Sequence, residues 1–420
     1  MFLKISLFAV IVVVLFCPLA FGQKTIYVSP EGSADPNGSY SQPFATIGQA
    51  LQAASNYDII TLKPGTYNTT GDYNLDPNGL IVTLQSQQPE AFDVVSATVI
   101  DPNSQGAFLY LENGEDPNFV IAGLTIRNGY NSERSDAGGI VCTGSSPTIR
   151  YCIFQNCSSD GEGGAVSFVD SHSLIKNCVF AQNQAWNGGA VLLWASSVQM
   201  VNCTLAANSA KFYGGAVFID GNSQLTATNC ILWDNLLTNP PNGGHQITAY
   251  RESALTISYC DIQGGANDID YQGSSLFWLD GNIDADPNFA AFSPQSPAAD
   301  WDLHLQSKYG RWDKTLAEWV TDSVTSPCID AGDPAADYQT EPWPNGKRIN
   351  MGAYGNTGQA GMFGNKADFD VNGTVELADL TELLSEWLQD GDMIVNLDRT
   401  GKVDAEDFAI FSQNWLRQTD

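Results

Sequence analysis

The sequence repeats a pattern about every 25 residues between positions 138 and 262. Cysteines recur at intervals of 26, 25, 27 and 30 residues, at Cys152, Cys178, Cys203, Cys230 and Cys260. Glycine pairs recur with a similar period, at Gly138-Gly139, Gly163-Gly164, Gly188-Gly189, Gly214-Gly215 and, less regularly, Gly243-Gly244. A period of this length indicates a solenoid, in which each repeat forms one coil that stacks on the coil before it.

Alternating apolar residues predict two strands in each repeat, because a period of two is typical of a strand with one buried face. The first strand follows the glycine pair, with one column at Val141, Val166, Val191 and Val217 and the next at Thr143, Phe168, Leu193 and Ile219. The second strand follows the cysteine, with inward residues at Phe154, Phe180, Leu205, Leu232 and Ile262. Stacked coils would align equivalent residues ~4.8 Å apart in parallel sheets.

Two further columns are expected at the corners of the coils. The cysteines are expected to face the interior as free thiols, and a vertical disulfide between neighbouring coils is also compatible with their spacing. Asn183, Asn208 and Asn235 each follow a cysteine by five residues. We expect these asparagines to adopt a positive φ and to form a ladder of side-chain hydrogen bonds.

These repeats resemble the right-handed parallel β-helix proteins of the pectin-lyase-like superfamily, and more narrowly the Gly-Gly-Ala-Val and Asn-Cys repeats of bacterial polymorphic surface proteins. Other segments resemble the same proteins, at 26–29, 43–47, 50–54, 58–67, 326–334 (Ser-Pro-Cys-Ile-Asp-Ala-Gly-Asp-Pro) and 349–355 (Ile-Asn-Met-Gly-Ala-Tyr-Gly). The resemblance implies a mainly β chain with a right-handed parallel β-helix over residues 23–355, closed at its N-terminal end by a short amphipathic helix. The exit region is expected to form a C-terminal cap around Trp301, Trp312, Trp319 and Trp343.

Residues 1–22 have the pattern of a signal peptide, with Lys4 before an apolar run and small residues before an expected cleavage at Gln23. We therefore predict a secreted protein, extracellular or at the cell surface, with a lipid anchor at Cys17 as the alternative. No later stretch is apolar for long enough to cross a membrane. The chain has 18 Lys+Arg against 47 Asp+Glu, a net charge of −29, which disfavours nucleic-acid binding.

A Gly- and Asn-rich stretch at 356–367 predicts a linker, and residues 368–420 then contain a duplicated 12-residue pattern. Each copy has oxygen-bearing side chains at positions 1, 3, 5, 9 and 12 and glycine at position 6, which is typical of a calcium loop. An amphipathic helix is expected after each loop. The pair resembles a type I dockerin module, a small α-helical calcium-loop domain.

The dockerin resemblance implies two Ca²⁺ sites, with the carbonyls of Thr374 and Lys402 among the ligands. The first site would use Asp368, Asp370, Asn372, Thr374, Glu376 and Asp379, and the second Asn396, Asp398, Thr400, Lys402, Asp404 and Asp407. The second site should be weaker, because Asn396 and Thr400 replace carboxylates. The implied partner is a cohesin-type protein or a cell-surface component, and the alternative is that the ions only hold up a module too small to fold alone.

The repeats show no recognisable catalytic constellation, so catalytic residues stay unassigned, and His172, His245 and His304 are expected at the surface or in turns. Aromatic residues in outward positions could form a platform for sugar rings, or could pack beneath loops, namely Trp186, Trp194, Tyr213 and Phe218. We therefore expect a binding protein that presents an extended surface to polysaccharide or cell-envelope components. The alternative is a carbohydrate-active enzyme, a polysaccharide lyase or glycoside hydrolase, recruited by the dockerin-like module.

Overall fold

The structure is a computed structural model that describes residues 22–132, 136–239, 245–389, 394–398 and 400–418. The predicted signal peptide lies outside the described residues except for Gly22, so secretion stays a prediction. In the described residues no helix is long and apolar enough to pass through a lipid bilayer. The glycine pair at 243–244 also lies outside the described part of the chain.

The chain forms a parallel β-helix, which confirms the solenoid. Between residues 109 and 237 each coil passes through four sheets, here named A to D, in the order C, A, B and D. Sheet A contains Thr25–Val28, Ile59–Leu62, Thr83–Ser86, Val120–Ala122, Thr148–Arg150, His172–Lys176, Ser197–Val201, Gln224–Thr228, Ala254–Ser258 and Ser275–Trp278. Sheet B contains Gly65–Tyr67, Thr98–Ile100, Thr125–Arg127, Ile153–Gln155, Val179–Ala181, Thr204–Ala206, Ile231–Trp233 and Asp261–Ile262.

The other two sheets complete each coil. Sheet C contains Leu109–Leu111, Ile140–Thr143, Val166–Val169, Val191–Trp194, Val217–Asp220, Ile247–Ala249 and Ile269–Asp270. Sheet D contains Tyr130–Asn131, Ser158–Ser159, Gln184–Asn187, Ser209–Tyr213 and Leu236–Leu237. Two antiparallel pairs follow the solenoid, Phe289–Ala291 with Asp302–Leu305 and Arg311–Asp313 with Glu318–Val320. Short 3₁₀ helices occur at Gly265–Asp268 and Ala298–Asp300.

The register of sheet C confirms the valine column except in its first coil. Val166, Val191 and Val217 are Cα partners, but the residue opposite Val166 is Ile140 rather than Val141. The first glycine pair is therefore one residue out of register with the next pair, and Gly139 donates its N–H to the carbonyl of Ala165 (3.1 Å). The shift places Cys142, rather than Thr143, in the fully buried column with Phe168.

The thiol column lies inside the solenoid, as expected, and its cysteines are free. Cys152 and Cys230 donate their backbone N–H groups to the sulfur of the next coil, Cys178 (3.4 Å) and Cys260 (3.3 Å). Burial raises the pKa of the Cys178 and Cys260 thiols well above the usual value. The thiols therefore act as small apolar residues that also accept hydrogen bonds in the described structure.

The asparagine ladder is also present, with one correction. Asn183 donates from Nδ2 to Oδ1 of Asn208, and Asn208 donates in the same way to Asn235, both at 2.9 Å. The positive φ expected at these asparagines belongs instead to the preceding residues, such as Gln182 (53°) and Ala207 (49°). Each asparagine side chain can bond the amide of the neighbouring coil only if it points inward. The residue before it, which adopts the left-handed conformation, turns the chain at the corner of the coil.

The two ends of the solenoid differ in structure. Helix α1, Ile47–Ala53, begins with a capping box at Thr46 and buries Ile47 and Ala50 against the first coils, which confirms the predicted plug. Helix α2, Phe92–Ala97, is an insertion before a strand of sheet B. The expected C-terminal cap is wrong, because the exit region does not cover the last coil with its tryptophans.

Residues 289–363, here called the return segment, instead run back along the outer face of sheet B. Trp301, Leu303 and Met351 pack in one apolar cluster with Val179 and Ile231 of that sheet. The corner of the coils holds the segment by side-chain bonds to its backbone: Asn177 Nδ2 donates to the carbonyl of Ala353 (2.9 Å), and Asn202 Nδ2 donates to that of Asn350 (3.0 Å). Ile153, Val179 and Ile231 on the outer face of sheet B are apolar and are buried beneath this cover.

The stretch 356–367, expected to be a linker, is packed instead. Ala360 is fully buried and Met362 is 6% exposed. Asn350 Nδ2 donates to the carbonyl of Gly361 at 2.8 Å, and the Ser307 hydroxyl donates to that of Met362. The stretch therefore belongs to the packed end of the return segment. Beyond it, helices α3 (Leu377–Ser385) and α4 (Ala405–Gln413) pack around a small apolar core that includes Phe369 and Phe411.

Two buried carboxyl groups lie inside the return segment. Glu341 is 5% exposed, and its Oε1 accepts the backbone N–H groups of Asn350 (2.9 Å) and Asn356 (2.7 Å). Burial raises the pKa of Glu341 to about 8 even though these bonds lower it. Burial, and then the charge of Glu341, raise the pKa of Asp330 to about 8 as well. Both carboxyls therefore bind a proton more tightly in the folded protein than in the unfolded chain.

We predict that stability falls as pH rises through neutrality. A raised folded-state pKa contributes stability that is complete below the unfolded pKa of about 4 and is lost as pH rises through about 8. The free energy of unfolding should drop by ~3 kcal/mol between about pH 5 and about pH 9. Glu341→Gln, which keeps the Oε1 acceptor but cannot ionise, should flatten this slope in denaturant titrations at each pH. The exposed control Glu318→Gln should leave it unchanged, and equal slopes for both variants would contradict the assignment.

Candidate binding surfaces and calcium loops

Three of the four aromatic residues predicted as a platform meet on the outer face of sheet C. Register pairs Leu192 with Phe218 and Trp194 with Asp220. The ring of Tyr213, at the end of a sheet D strand, stacks on Phe218 with centroids 5.8 Å apart. Phe218 is only 4% exposed beneath this cover. The expectation that Phe218 is available to a sugar is therefore wrong, whereas Trp194 and Tyr213 are half-buried.

Polar side chains that the sequence analysis did not assign surround these rings. Asp220, 4% exposed, lies 3.5 Å from Nε of Arg251, and the Arg251 guanidinium lies 5.2 Å from the centroid of the Trp194 ring. The Tyr250 hydroxyl donates to Oδ2 of Asp270 at 3.2 Å. Burial, followed by the charge of Asp270, raises the pKa of Tyr250 above its usual range. The result is a face with two carboxylates, a guanidinium and a phenol beside an indole.

The sequence held a partial signal for this cluster. Asp220 occupies the outward column that follows Phe218, so strand alternation already places it beside Trp194. Tyr250 and Asp270 come from the last two coils of sheet C, where the spacing of the glycine pairs becomes irregular, so the repeat could not align them. Their meeting point is defined only by the register of the last two strands of sheet C.

Trp186, the fourth predicted aromatic residue, lies apart on sheet D. Its side chain is 49% exposed and meets the Phe212 ring edge-on at 6.2 Å. Nζ of Lys211 lies 5.2 Å from the Trp186 ring centroid. These residues border an open hollow of about 570 Å³ that Asp160 and Gln184 also line. An accessible indole, a cation, a carboxylate and an amide thus share one depression.

The first predicted calcium loop brings its carboxylates together. Single oxygens of Asp368, Asp370 and Asp379 all lie within 4.8 Å of one another. Asp379 also lies in the first turn of helix α3, where its Oδ2 accepts the N–H of the N-cap residue Glu376 (2.8 Å), while its Oδ1 accepts that of Phe369 (2.6 Å). Burial, and then the charges of Asp379 and Asp370, raise the pKa of Asp368. A cation would relieve this repulsion, and an all-oxygen donor set fits Ca²⁺.

The remaining predicted ligands of the first loop lie around the same turn. Nδ2 of Asn372 donates to Oε1 of Glu376 (3.2 Å), and the Thr374 N–H donates to Oδ1 of Asn372 (2.9 Å). Gly373 adopts a φ of 92°, a value that glycine tolerates and other residues resist. The tight bend required of position 6 in a calcium loop is therefore present.

The second loop has the same pattern of backbone hydrogen bonds, with fewer carboxylates among its predicted ligands. Asp407 accepts the N–H of Asp398 (3.0 Å) on Oδ1 and the N–H of Asp404 (2.9 Å) on Oδ2, as Asp379 does in the first loop. Thr400 donates its hydroxyl to Oδ2 of Asp398 at 2.9 Å. Lys402 and Asn396 occupy the remaining predicted positions, and residue 399 is outside the described residues. In the part of the chain that is described, only the first loop has three converging carboxylates.

One of the three histidines is buried, whereas all three were expected at the surface or in turns. His172 and His245 are exposed, as expected, and Nδ1 of His245 lies 3.0 Å from Oδ1 of Asp268. The His304 side chain is only 2% exposed and lies in the return segment, where its ring stacks on Tyr354 with centroids 3.8 Å apart. The expectation of a surface or turn position is wrong for His304, because the return segment folds against sheet B rather than outward.

Comparisons with known proteins agree with the fold. Residues 138–284 match the sequence-family model described as "Right handed beta helix region", which together with the four-sheet topology identifies the solenoid as a right-handed parallel β-helix. Residues 257–332 match the family "Disaggregatase related", and residues 31–75 match a "Protein of unknown function" family (DUF1565). The uncharacterized protein YwoF of Bacillus subtilis (strain 168) is 29% identical over 126 residues, 30% of this chain. The chain spans 26% of the length of that relative.

Solved structures with a similar course of the chain include two lyases and a methylesterase. Pectate lyase Pel9A aligns over 79% of this chain and 96% of its own, with 15% identity and a TM-score of 0.45. A rhamnogalacturonan lyase aligns over 57% of this chain and 68% of its own, with 14% identity and a TM-score of 0.38. The pectin methylesterase of Aspergillus niger aligns over 73% of this chain and 92% of its own, with 12% identity and a TM-score of 0.36.

Proposed function

We propose that this protein is secreted and binds polysaccharide along the outer faces of sheets C and D, and that its C-terminal module binds Ca²⁺ and docks to a partner. The observation that carries the binding proposal is the half-exposed Trp186 beside Lys211 in an open hollow. An indole offers an apolar face to a sugar ring, and neighbouring polar groups bind the hydroxyls at its rim. Polysaccharide suits such an elongated surface better than a compact ligand does.

The Trp186 hollow is tested by Trp186→Ala. Loss of the stacking surface should weaken polysaccharide binding by ~10-fold, with the solenoid intact because half of the side chain faces solvent. Binding of pectin, alginate and xylan can be followed by isothermal titration calorimetry. Phe277→Ala is the matched control, since Phe277 is 53% exposed on the last strand of sheet A. Equal affinities for the wild type and the Trp186 variant would refute the assignment of this hollow.

The carboxylates on sheet C favour a second candidate, a carbohydrate-active enzyme. Asp220 and Asp270 flank Tyr250 on one face, and Arg251 and Trp194 lie beside them. Glycoside hydrolysis uses a pair of carboxyl groups on one surface, one as an acid and one as a base or nucleophile. A polysaccharide lyase would instead use a basic group to abstract a proton, and Arg251 is the cation nearest to this face.

The enzyme candidate predicts turnover that depends on these carboxylates. The purified chain is incubated with pectin, alginate and xylan and assayed for new reducing ends and for unsaturated uronate. Asp220→Asn and Asp270→Asn should each lower any turnover by ~100-fold. Asp280→Asn, an exposed carboxylate just after the last strand of sheet A and outside both proposed surfaces, is the control and should retain activity. Turnover that survives both sheet C variants would place the chemistry elsewhere.

The C-terminal module supports a calcium-dependent docking role, as in a dockerin. Its first loop offers three converging carboxylates, and exposed apolar side chains such as Leu377 (68%) and Leu384 (53%) lie on helix α3. A cohesin-type protein or a cell-surface component is the partner that the dockerin resemblance suggests. Because Asp379 and Asp407 each close a loop and lie in the first turn of the helix that follows, we expect ion binding and helix formation to be coupled.

Calcium removal should therefore unfold the module and leave the solenoid folded. We expect a chelator to reduce the helical circular-dichroism signal while the β signal persists, and a Ca²⁺ titration to show one tighter and one weaker site. Asp368→Ala should weaken the tighter site by ~100-fold, because it removes a carboxylate. Glu382→Ala, an exposed acid of α3 outside the loop, is the control. If neither the spectrum nor the melting curve changed on addition of chelator or Ca²⁺, the assignment of the two loops as calcium sites would be rejected.

A further inference from the structure

A cavity of about 330 Å³ lies between the outer face of sheet B and the return segment. Val179 of sheet B forms part of its floor, and Phe92 of helix α2 forms one side. The return segment supplies the opposite wall, with Trp301, His304 and Tyr354. The cavity exists because the exit region folds back along the coils, so the repeat pattern contains no trace of it. It is separate from the hollow at Trp186 and from the carboxylate face of sheet C.

One wall of the cavity carries a buried imidazole with an unused nitrogen. Nδ1 of His304 bonds Oδ1 of Asp302 at 2.5 Å, and Nη1 of Arg311 donates to the other carboxylate oxygen at 3.2 Å. Burial would raise the pKa of Asp302, but the hydrogen bond from His304 holds it below its usual value. The ionised Asp302 accepts a hydrogen bond from Nδ1–H of His304, and in this tautomer of the neutral imidazole Nε2 carries a lone pair. No described residue bonds this buried Nε2 atom.

A second buried acceptor lines the same cavity. Oε1 of Gln359 is shielded from solvent and has no hydrogen-bond partner among the described residues. Buried acceptors in folded proteins are nearly always paired with protein or with bound molecules. Two unpaired acceptors around one cavity therefore indicate an occupant that supplies at least two donors.

The rest of the lining defines the chemistry of that occupant. Trp301 is 4% exposed and makes the wall that the return segment supplies aromatic, and Phe92, also 4% exposed, adds an apolar surface on the side of helix α2. Lys314 and Gln155 add polar groups at the rim. A molecule with hydroxyl donors around an apolar ring face matches both the acceptors and the wall. A volume of about 330 Å³ suits one such ring and excludes an extended chain that enters and leaves.

We propose that this cavity binds a single sugar ring, with hydroxyl groups that donate to Nε2 of His304 and to Oε1 of Gln359 and with one ring face against the aromatic wall. The ring is either a free monosaccharide or the end of a saccharide chain, which share this chemistry. This site goes beyond the polysaccharide surface proposed above, because it selects an end or a free sugar rather than the middle of a polymer.

The proposal is tested by nuclear magnetic resonance of the full chain with ¹⁵N-labelled histidine. The protein has three histidines, and the other two are exposed, so the His304 signals can be assigned with His172→Gln and His245→Gln. Glucose, galactose, xylose and galacturonate are titrated to about 50 mM, together with their trisaccharides. We expect Nε2 of His304 to lack a proton and to shift on addition of one of these sugars, while the other histidines stay unmoved. A shift with both sugar and trisaccharide indicates chain ends, and a shift with the free sugar alone indicates a monosaccharide site.

Ser96→Trp provides the blocking variant, because Ser96 lies at the rim on helix α2 and is exposed. It should weaken the sugar-induced shift by ~10-fold, while Ala97→Trp, the next exposed residue of the same helix and not part of the lining, should not. A protonated Nε2, or a His304 signal that no sugar moves in the folded protein, would overturn the proposal and leave water as the occupant. Trp186→Ala should keep the shift, so failure of the polysaccharide surface and failure of this cavity are distinguishable.

Discussion

The in-register stacking of coils is the interaction on which the rest of the molecule depends. Each strand pairs with the equivalent strand one coil away, so the backbone donors of one coil are satisfied by the next. Side chains repeat the same rule, as the Asn183–Asn208–Asn235 ladder shows with 2.9 Å bonds between amides. Because every coil uses the coil beside it, a feature at one position propagates to its column. The columns then determine which faces are apolar, polar or aromatic.

Stacking also creates the problem that the return segment solves. A sheet buried on its inner side still has an outer side, and in sheet B that side carries Val179 and Ile231. If it were exposed to solvent, this apolar side would form a hydrophobic patch of the kind that promotes association. The chain covers it with residues 289–363, and the turn asparagines Asn177 and Asn202 donate to the backbone of that cover. The cavity at His304 is the place where cover and coil do not fill the space between them.

The sequence predicts what the repeat encodes and little of what lies outside it. The alignment of Val166, Val191 and Val217 could be predicted because these residues keep the same spacing from their glycine pairs. Ile140 was not predicted to join this column, because the glycine pair before it is shifted by one residue. The calcium ligands could be proposed because all of one loop lies within twelve residues. His304 could not be placed, since its ring partner Tyr354 is fifty positions away and the two meet only when the exit region turns back. The packing of 356–367 was missed for the same reason, because Gly- and Asn-rich sequence indicates flexibility only where nothing long-range holds it.

The distribution of charge follows from these constraints. With 47 acidic residues against 18 basic ones, the chain repels itself, yet the interior of the coils accepts thiols, amides and apolar groups rather than ions. Carboxylates therefore lie on outer faces, in loops, in the return segment and in the C-terminal module. The positions of the few cations are informative. Lys211 lies over Trp186 and Arg251 over Trp194, so both cations are beside the aromatic rings on which the binding proposals rest. The first C-terminal loop gathers three carboxylates within 4.8 Å of one another, and the calcium proposal rests on this concentration of negative charge.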